Sequence, residues 1–370
     1  MLRAMFLCMN GWLSAIACLF LFIFCVLCVS QPIGARDKPN PNPNPDPDPH
    51  EPLAYIWPLP AEFTFGDKVV SVNPGLSLAM DGNGGRSAVV RAAFHRYKGI
   101  VFKHIDGHRF GHFRKLREIV YDINRLTVTV HSHSEELQLG VDESYTLLVS
   151  KGTGGSNPWK VTIEANTVYG ALRALETFSQ LCSFDYTSKK VQIHNAPWSI
   201  HDKPRFAYRG LLLDTSRHYL PIDVIKHIIE SMSYAKLNVL HWHIIDEQSF
   251  PLEVKSYPKL WKGSYTKWER YTVEDAYDIV KASATVLGSQ DCKDASSPCI
   301  NVMAEVDVPG HAESWGAGYP ELWPSPSCKE PLDVSKKFTF DVISGILTGL
   351  VPIKLYSLGS SVLVIFGHYM

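Results

Sequence analysis

No charge of one sign dominates this chain: 36 lysines and arginines stand against 37 aspartates and glutamates. That balance gives no electrostatic reason to expect nucleic acid or an anionic surface as a partner. The most basic stretch, Lys103 to Arg117 (KHIDGHRFGHFRKLR), has no helical register and no companion motif, and reads as solvated surface. No Asn-x-Ser/Thr acceptor occurs, so glycan-dependent sorting has no support. Cysteine is scarce once the N-terminal leader is set aside. Cys8, Cys18, Cys25 and Cys28 lie in that leader, leaving Cys182, Cys292, Cys299 and Cys328. Cys292 and Cys299 lack a second pair and have a C-x6-C spacing, which argues against zinc. In an oxidising lumen they are the natural local disulfide.

One long apolar run is present, from about Trp12 to Val29, with Arg3 ahead of it. It reads as a cleaved signal peptide over residues 1–30, with a signal anchor as the alternative; small Ser30 suits a cleavage point. Either reading delivers the rest of the chain to the secretory pathway, and only this segment would touch a membrane. Residues 31–52 contain NPNPNPDPDPHEP, a proline-rich linker that fixes φ and resists folding into a core.

Residues 53–200 mix strand-like runs (LTVTVHS, YTLLVS, WKVTIEA) with one helix, TVYGALRALETFSQLC, whose Val168, Leu172, Leu175, Phe178 and Leu181 share a face. This predicts a small α+β domain. Its acidic doublet, Asp142-Glu143, is expected in a solvated turn. Residues 201–350 change rhythm. RGLLLD reads as a short buried strand, PIDVIKHIIESMSYAKL as a helix and NVLHWHIID as a strand. TVEDAYDIVKASATVL then reads as a helix capped by Thr272, INVMAEVDV as a strand and DVSKKFTFDVISGIL as a helix. That cadence predicts a parallel α/β sheet, doubly wound or barrel. Residues 351–370 form an apolar tail in which Val362 to Phe366 either patch a sheet edge or, the favoured reading, add exposed apolar surface.

Parallel α/β proteins place their sites at the carboxyl ends of strands. The three ends here are Asp214-Thr-Ser-Arg217-His218-Tyr219, Asp246-Glu247, and Asp307-Val-Pro-Gly-His311. Each strand is apolar through its middle and polar at the same end. Buried charges are costly unless paired, so three such ends argue for one shared site. Arg217 supplies a fork of donors and the acids accept from hydroxyls, which suits a sugar. Trp242, Trp261, Trp268, Trp315 and Trp323 follow the boundary, each read as core before platform. His241 and His243 face one side of their strand and Trp242 the other. A competing reading makes His241 and His243 a metal pair with Asp307 and His311. It is set aside because the pair lies upstream of the strand's end.

RGLLLDTSRHYLP, KLNVLHWHIIDEQSFP and VMAEVDVPGHAESWG resemble the β-N-acetylhexosaminidases of glycoside hydrolase family 20, most closely those of plants, and YGALRALETFSQL resembles the end of the family's N-terminal domain. The resemblance implies a small α+β domain followed by a (β/α)8 TIM barrel. It also implies removal of terminal non-reducing N-acetylhexosamine from glycans or chitooligosaccharides, without a cofactor or metal. The mechanism it implies is substrate-assisted: the sugar's own acetamido oxygen attacks the anomeric carbon. By motif, Arg217 and Asp246 would bind the sugar, and His243, Asp307 and His311 would support them. The family's catalytic Asp-Glu pair belongs to a Gly-Gly-Asp-Glu motif, and no such motif occurs; the only Asp-Glu pairs are Asp142-Glu143 and Asp246-Glu247. The expectation is an incomplete barrel, truncated before the acid pair, with impaired turnover and Cys328 left single. Two other roles are a non-catalytic sugar-binding protein and a dominant-negative partner in a homodimer. The vacuole, the lysosome and the cell exterior are the implied destinations.

Overall fold

The computed structural model describes residues 55–105, 120–152, 159–283, 300–355 and 361–366. The leader, the proline-rich linker, Cys292 and Cys299 lie outside the described residues, as does nearly all of the basic Lys103–Arg117 stretch.

The first sheet has six strands: β1 (Glu62–Asp81), β2 (Ile123–Val130), β3 (Tyr145–Lys151), β4 (Trp159–Ala165), β5 (Cys182–Asp185) and β6 (Lys190–Asp202). Their order is β1-β2-β4-β3-β6-β5. The long β1 serves two neighbours: from Glu62 to Val72 it runs antiparallel to β6, and from Val72 to Asp81 parallel to β2. Two helices accompany the sheet, α1 (Ala88–Val101) and α2 (Val168–Leu181). Ser87 Oγ caps α1 by accepting from Val90 N, and Thr167 Oγ caps α2 by accepting from Gly170 N. Gly170 lets α2 approach closely, because a Cβ there would stand 2.2 Å from the Ser144 carbonyl oxygen. The three strands and the helix read from sequence are present; β1, β5, β6 and α1 were not read from it, although α1 buries Val89, Val90, Ala93, Phe94 and Tyr97 at helical spacing.

The acidic doublet departs from its expected solvated turn. Asp142 does cap locally, accepting from Ser144 N and Asn166 Nδ2. Glu143, in contrast, is buried, and its Oε2 lies 2.6 Å from both Arg173 Nε and Arg209 Nη2. A buried carboxylate needs such partners, and they come from distant parts of the chain.

The second sheet is parallel, in the order β10-β9-β8-β7, from β7 (Gly210–Asp214), β8 (Val239–Ile245), β9 (Asn301–Val308) and β10 (Ser361–Phe366). Helices α3 (Ile222–Tyr234) and α4 (Val273–Ser283) connect the first three strands, and α5 (Lys337–Leu355) precedes β10. Thr272 and Asp275 cap α4 reciprocally, side chain to backbone N–H in both directions at 2.8 and 3.0 Å. One core holds this unit together: Ile225, Ile229 and Met232 of α3, Trp242 of β8, Ile279 of α4, Val306 of β9 and Ile346 of α5 are all buried in it.

Two readings of this half are corrected. RGLLLD is a strand but not a buried one: Leu211 and Leu212 are 39% and 55% exposed, because β7 is an edge of the described sheet. Val362 to Phe366 follow the alternative reading and patch a sheet edge. They pair parallel with β9, from Val362↔Ala304 to Phe366↔Val308, so the backbone of β9 is hydrogen-bonded on both sides.

Candidate functional site

Parallel register assembles the rim. Asp214 of β7 stands beside His243 of β8, which stands beside Glu305 of β9. Between the His243↔Glu305 and Ile245↔Val306 pairs, β8 carries one extra residue. Strict alternation would put Asp246 on the Trp242 face. The extra residue lets Ile244 and Ile245 both enter the core and turns Asp246 toward the histidine side.

Asp246 is the hub. Its carboxylate is fully buried, and four donors reach it: His243 Nε2 at 2.6 Å and Arg217 Nη2 at 2.8 Å on Oδ2, with Glu247 N at 2.6 Å and His311 Nδ1 at 3.1 Å on Oδ1. Its backbone carbonyl accepts from Ser314 Oγ. Burial alone would raise its pKa; the donated hydrogen bonds and the nearby Arg217 guanidinium outweigh burial and hold the carboxyl below its ordinary value.

Arg217 follows the end of β7, where Asp214 Oδ1 accepts from the backbone N–H groups of Ser216 and Arg217 and fixes the turn. Its Nη1 donates to Asp214 Oδ2 at 2.7 Å, so the guanidinium spans two carboxylates. With 36% of its side chain exposed, Arg217 is open to solvent above the buried hub. His311 is also accessible, at 43% of its side chain, and its φ of 56° lies in the left-handed region that few residues other than glycine adopt. Asp307 lies 3.8 Å from the other nitrogen of His311. Burial raises the Asp307 pKa, and the negative charges of Glu305 and Asp246 add to the rise.

The five expected site residues therefore meet. Sequence reading missed Glu305, on which His241 and His243 converge, the latter at 3.1 Å. The available signal was a second acid in the same strand, two residues before Asp307 and enclosed by Ala304 and Val306. Glu330 was missed too. It accepts from Ala312 N at 2.8 Å, and burial, with the charge of Glu247 adding to it, pushes its carboxyl up. Among the tryptophans, Trp242 and Trp315 are core, whereas Trp268 is 78% exposed. Both histidines of the alternative metal pair point at Glu305, whose Oε2 takes a hydrogen bond from each.

A parallel strand-helix sheet with carboxylates, histidines and an arginine gathered at its strand ends is the architecture of an α/β enzyme whose site lies at the carboxyl ends of the strands. Comparison with known proteins narrows the class. The model for the glycosyl hydrolase family 20 catalytic domain matches residues 206–349, and one described as beta-acetyl hexosaminidase like matches residues 56–181. The chain belongs to glycoside hydrolase family 20. Beta-hexosaminidase 1 of Arabidopsis thaliana is 65% identical over 310 residues, covering 82% of this chain and 55% of that protein. The beta subunit of Homo sapiens beta-hexosaminidase is 35% identical over 273 residues, covering 72% and 45%. Among solved structures, the chitobiase of Flavobacterium johnsoniae superimposes with a TM-score of 0.62 at 26% identity, over 82% of this chain and 43% of that one. The Streptomyces plicatus N-acetyl-beta-hexosaminidase in complex with Thio-NAglucal gives a TM-score of 0.57 at 22% identity, over 80% and 56%. The fold is thus an α+β unit followed by part of a (β/α)8 barrel. The chain spans about half the length of the curated relatives it matches.

Proposed function

We propose that the rim of β7, β8 and β9 is the sugar-gripping part of a β-N-acetylhexosaminidase site, specific for terminal non-reducing N-acetylglucosamine or N-acetylgalactosamine. One observation carries this: an accessible arginine is seated on a buried carboxylate that two histidines also address. Arg217 grips sugar hydroxyls through donors that Asp214 and Asp246 do not use. Asp246, being buried and saturated, anchors Arg217 and His311 rather than touching the sugar. Asp307 and His311 form a relay beside the place where the glycosidic oxygen departs. His243 backs Asp246 from below.

In the substrate-assisted reaction the acetamido oxygen forms a bond to the anomeric carbon as the glycosidic bond breaks. The leaving oxygen then takes a proton from a glutamic acid. The 370 residues hold no Gly-Gly-Asp-Glu motif to supply that acid. For these 370 residues the reading is therefore confined to sugar binding by the rim, with the proton-donating acid unassigned. We further infer domains at 53–200 and 201–350, a Cys292–Cys299 disulfide, homodimer formation and passage through the secretory pathway to the vacuole, lysosome or exterior. Among the described residues no helix is long and apolar enough to cross a membrane.

A chromogenic N-acetylglucosaminide and an N-acetylglucosamine-thiazoline mimic, applied to the purified chain, test the reading. Saturable binding of the mimic without turnover is expected. Robust hydrolysis would sink the binder reading, and failure to bind would sink the sugar site.

A further inference from the structure

Glu305 sits within β9, 5% exposed, directly across the register from His243. His243 is itself buried, and its two ring nitrogens face two different carboxylates. Nε2 lies 2.6 Å from Asp246 Oδ2, and Nδ1 lies 3.1 Å from Glu305 Oε2. A neutral imidazole has one N–H and one lone pair, so one of these contacts would set a lone pair against an anion. Only the imidazolium donates in both directions. Arg217 Nη1 stands 3.5 Å from Nε2. Nη1 is committed to Asp214 Oδ2, and it is the other guanidinium nitrogen, Nη2, that donates to Asp246 Oδ2 beside Nε2.

We propose that Glu305 is a positioning residue of the sugar site: together with Asp246 it holds His243 as a doubly protonated bridge, and the bridge fixes the carboxylate on which Arg217 and His311 are seated. The role in sugar binding depends on the reading of the rim given above; the charge state of His243 does not.

The surroundings of His243 support the imidazolium. On the anionic side are Asp214 across the β7 register, Asp246 at the end of its own strand, and Glu305 and Asp307 from β9. On the other side are Arg217 from the loop after β7 and His241, which shares Glu305. Burial works against the charge, but the hydrogen bonds to Asp246 and Glu305 and their negative charges prevail, and the net shift is upward from 6.5. Removing the Glu305 charge removes one of the two carboxylates that keep the second proton on. At a pH where His243 then becomes neutral, Asp246 loses a cation beneath it, and its hold on Arg217 changes with pH.

The test is histidine-selective NMR of the intact 370-residue chain, with the His243 resonance assigned by its loss in His243→Gln. In the wild type, His243 should have its midpoint above pH 6.5. In Glu305→Gln its midpoint should fall by about one pH unit or more, and Glu305→Asp should restore most of that shift. Affinity for the thiazoline mimic should drop in Glu305→Gln, by up to about tenfold per unit of midpoint shift, at a pH between the measured midpoints of variant and wild type, and stay near the wild-type value at about pH 5.5. A wild-type His243 that is neutral at pH 6.5, or a midpoint indifferent to Glu305→Gln, overturns the bridge. An affinity loss equal at both pH values assigns Glu305 to packing alone and overturns the positioning role. If the wild type binds no mimic, the sugar reading falls and the positioning role with it, while the titration still decides the imidazolium.

Discussion

Arg217 illustrates how much a single side chain does here. It joins Asp214 and Asp246 at 2.7 and 2.8 Å and still presents an accessible edge. A lysine keeps the charge but cannot span two carboxylates with a planar fork. Arg217→Lys should therefore weaken binding of the thiazoline mimic at least about tenfold, measured by calorimetry, with the thermal midpoint little changed. The same residues set a pH window. Asp246 is depressed below 3.8, so its contribution to stability is full above that value and is lost as pH falls through its lower folded pKa. His243 is raised above 6.5, so its contribution is full below that value and is lost as pH rises through its higher folded pKa. Asp307 works in the opposite sense: its raised pKa is a cost to the folded state, fully incurred once pH exceeds that raised value. A plateau of mimic affinity that extends below pH 3.8 on the acid side and above pH 6.5 on the alkaline side, with separate limbs beyond it, is expected from these directions. A single-limbed profile would contradict the pairing of Asp246 with His243.

At the scale of elements, local chemistry was readable and long-range partnership was not. Thr272 and Asp275 announce the start of α4, and they do form the reciprocal cap. Thr272→Ala should cost about 1 kcal/mol in chemical denaturation. Glu143 gave the opposite lesson. Its sequence neighbours suggest a turn, yet Arg173 and Arg209 bury it. Replacing it with glutamine leaves buried Arg173 and partly buried Arg209 without their shared anion, and should cost about 3 kcal/mol or more. A loss below about 1 kcal/mol would mean that water compensates them. Likewise β7 reads as a buried strand from its leucines, but burial depends on what lies beside it, and Leu212 is mostly exposed. The helices α2, α3 and α4 were legible because an amphipathic stripe is a property of one segment. The long β1 was not, since its two halves answer to different partners.

For the whole molecule, the pairing of β10 with β9 decides how the parallel sheet ends. Unpaired strand backbone invites association with another chain. Val364→Pro would remove a donor from the middle of the β10 strand, opposite Val306. Light scattering should then show more oligomer or aggregate than the parent chain at equal concentration. A profile unchanged from that of the parent chain would mean that β10 does not protect that edge. The apolar composition of Val362 to Phe366 was plain from sequence, but whether it added surface or a strand was a question of docking.

The sequence by itself determined the polar strand ends, the helical stripes, the caps and the family motifs, because each is a local pattern of residue type and spacing. Tertiary structure decided where those groups meet. The extra residue in β8 reverses the face of Asp246, and the β8–β9 register sets Glu305 against His243. The folding of distant segments brings Arg173 and Arg209 onto Glu143. Register, burial and charge pairing are relations between segments far apart in the chain, and a linear pattern specifies each partner without specifying the pair.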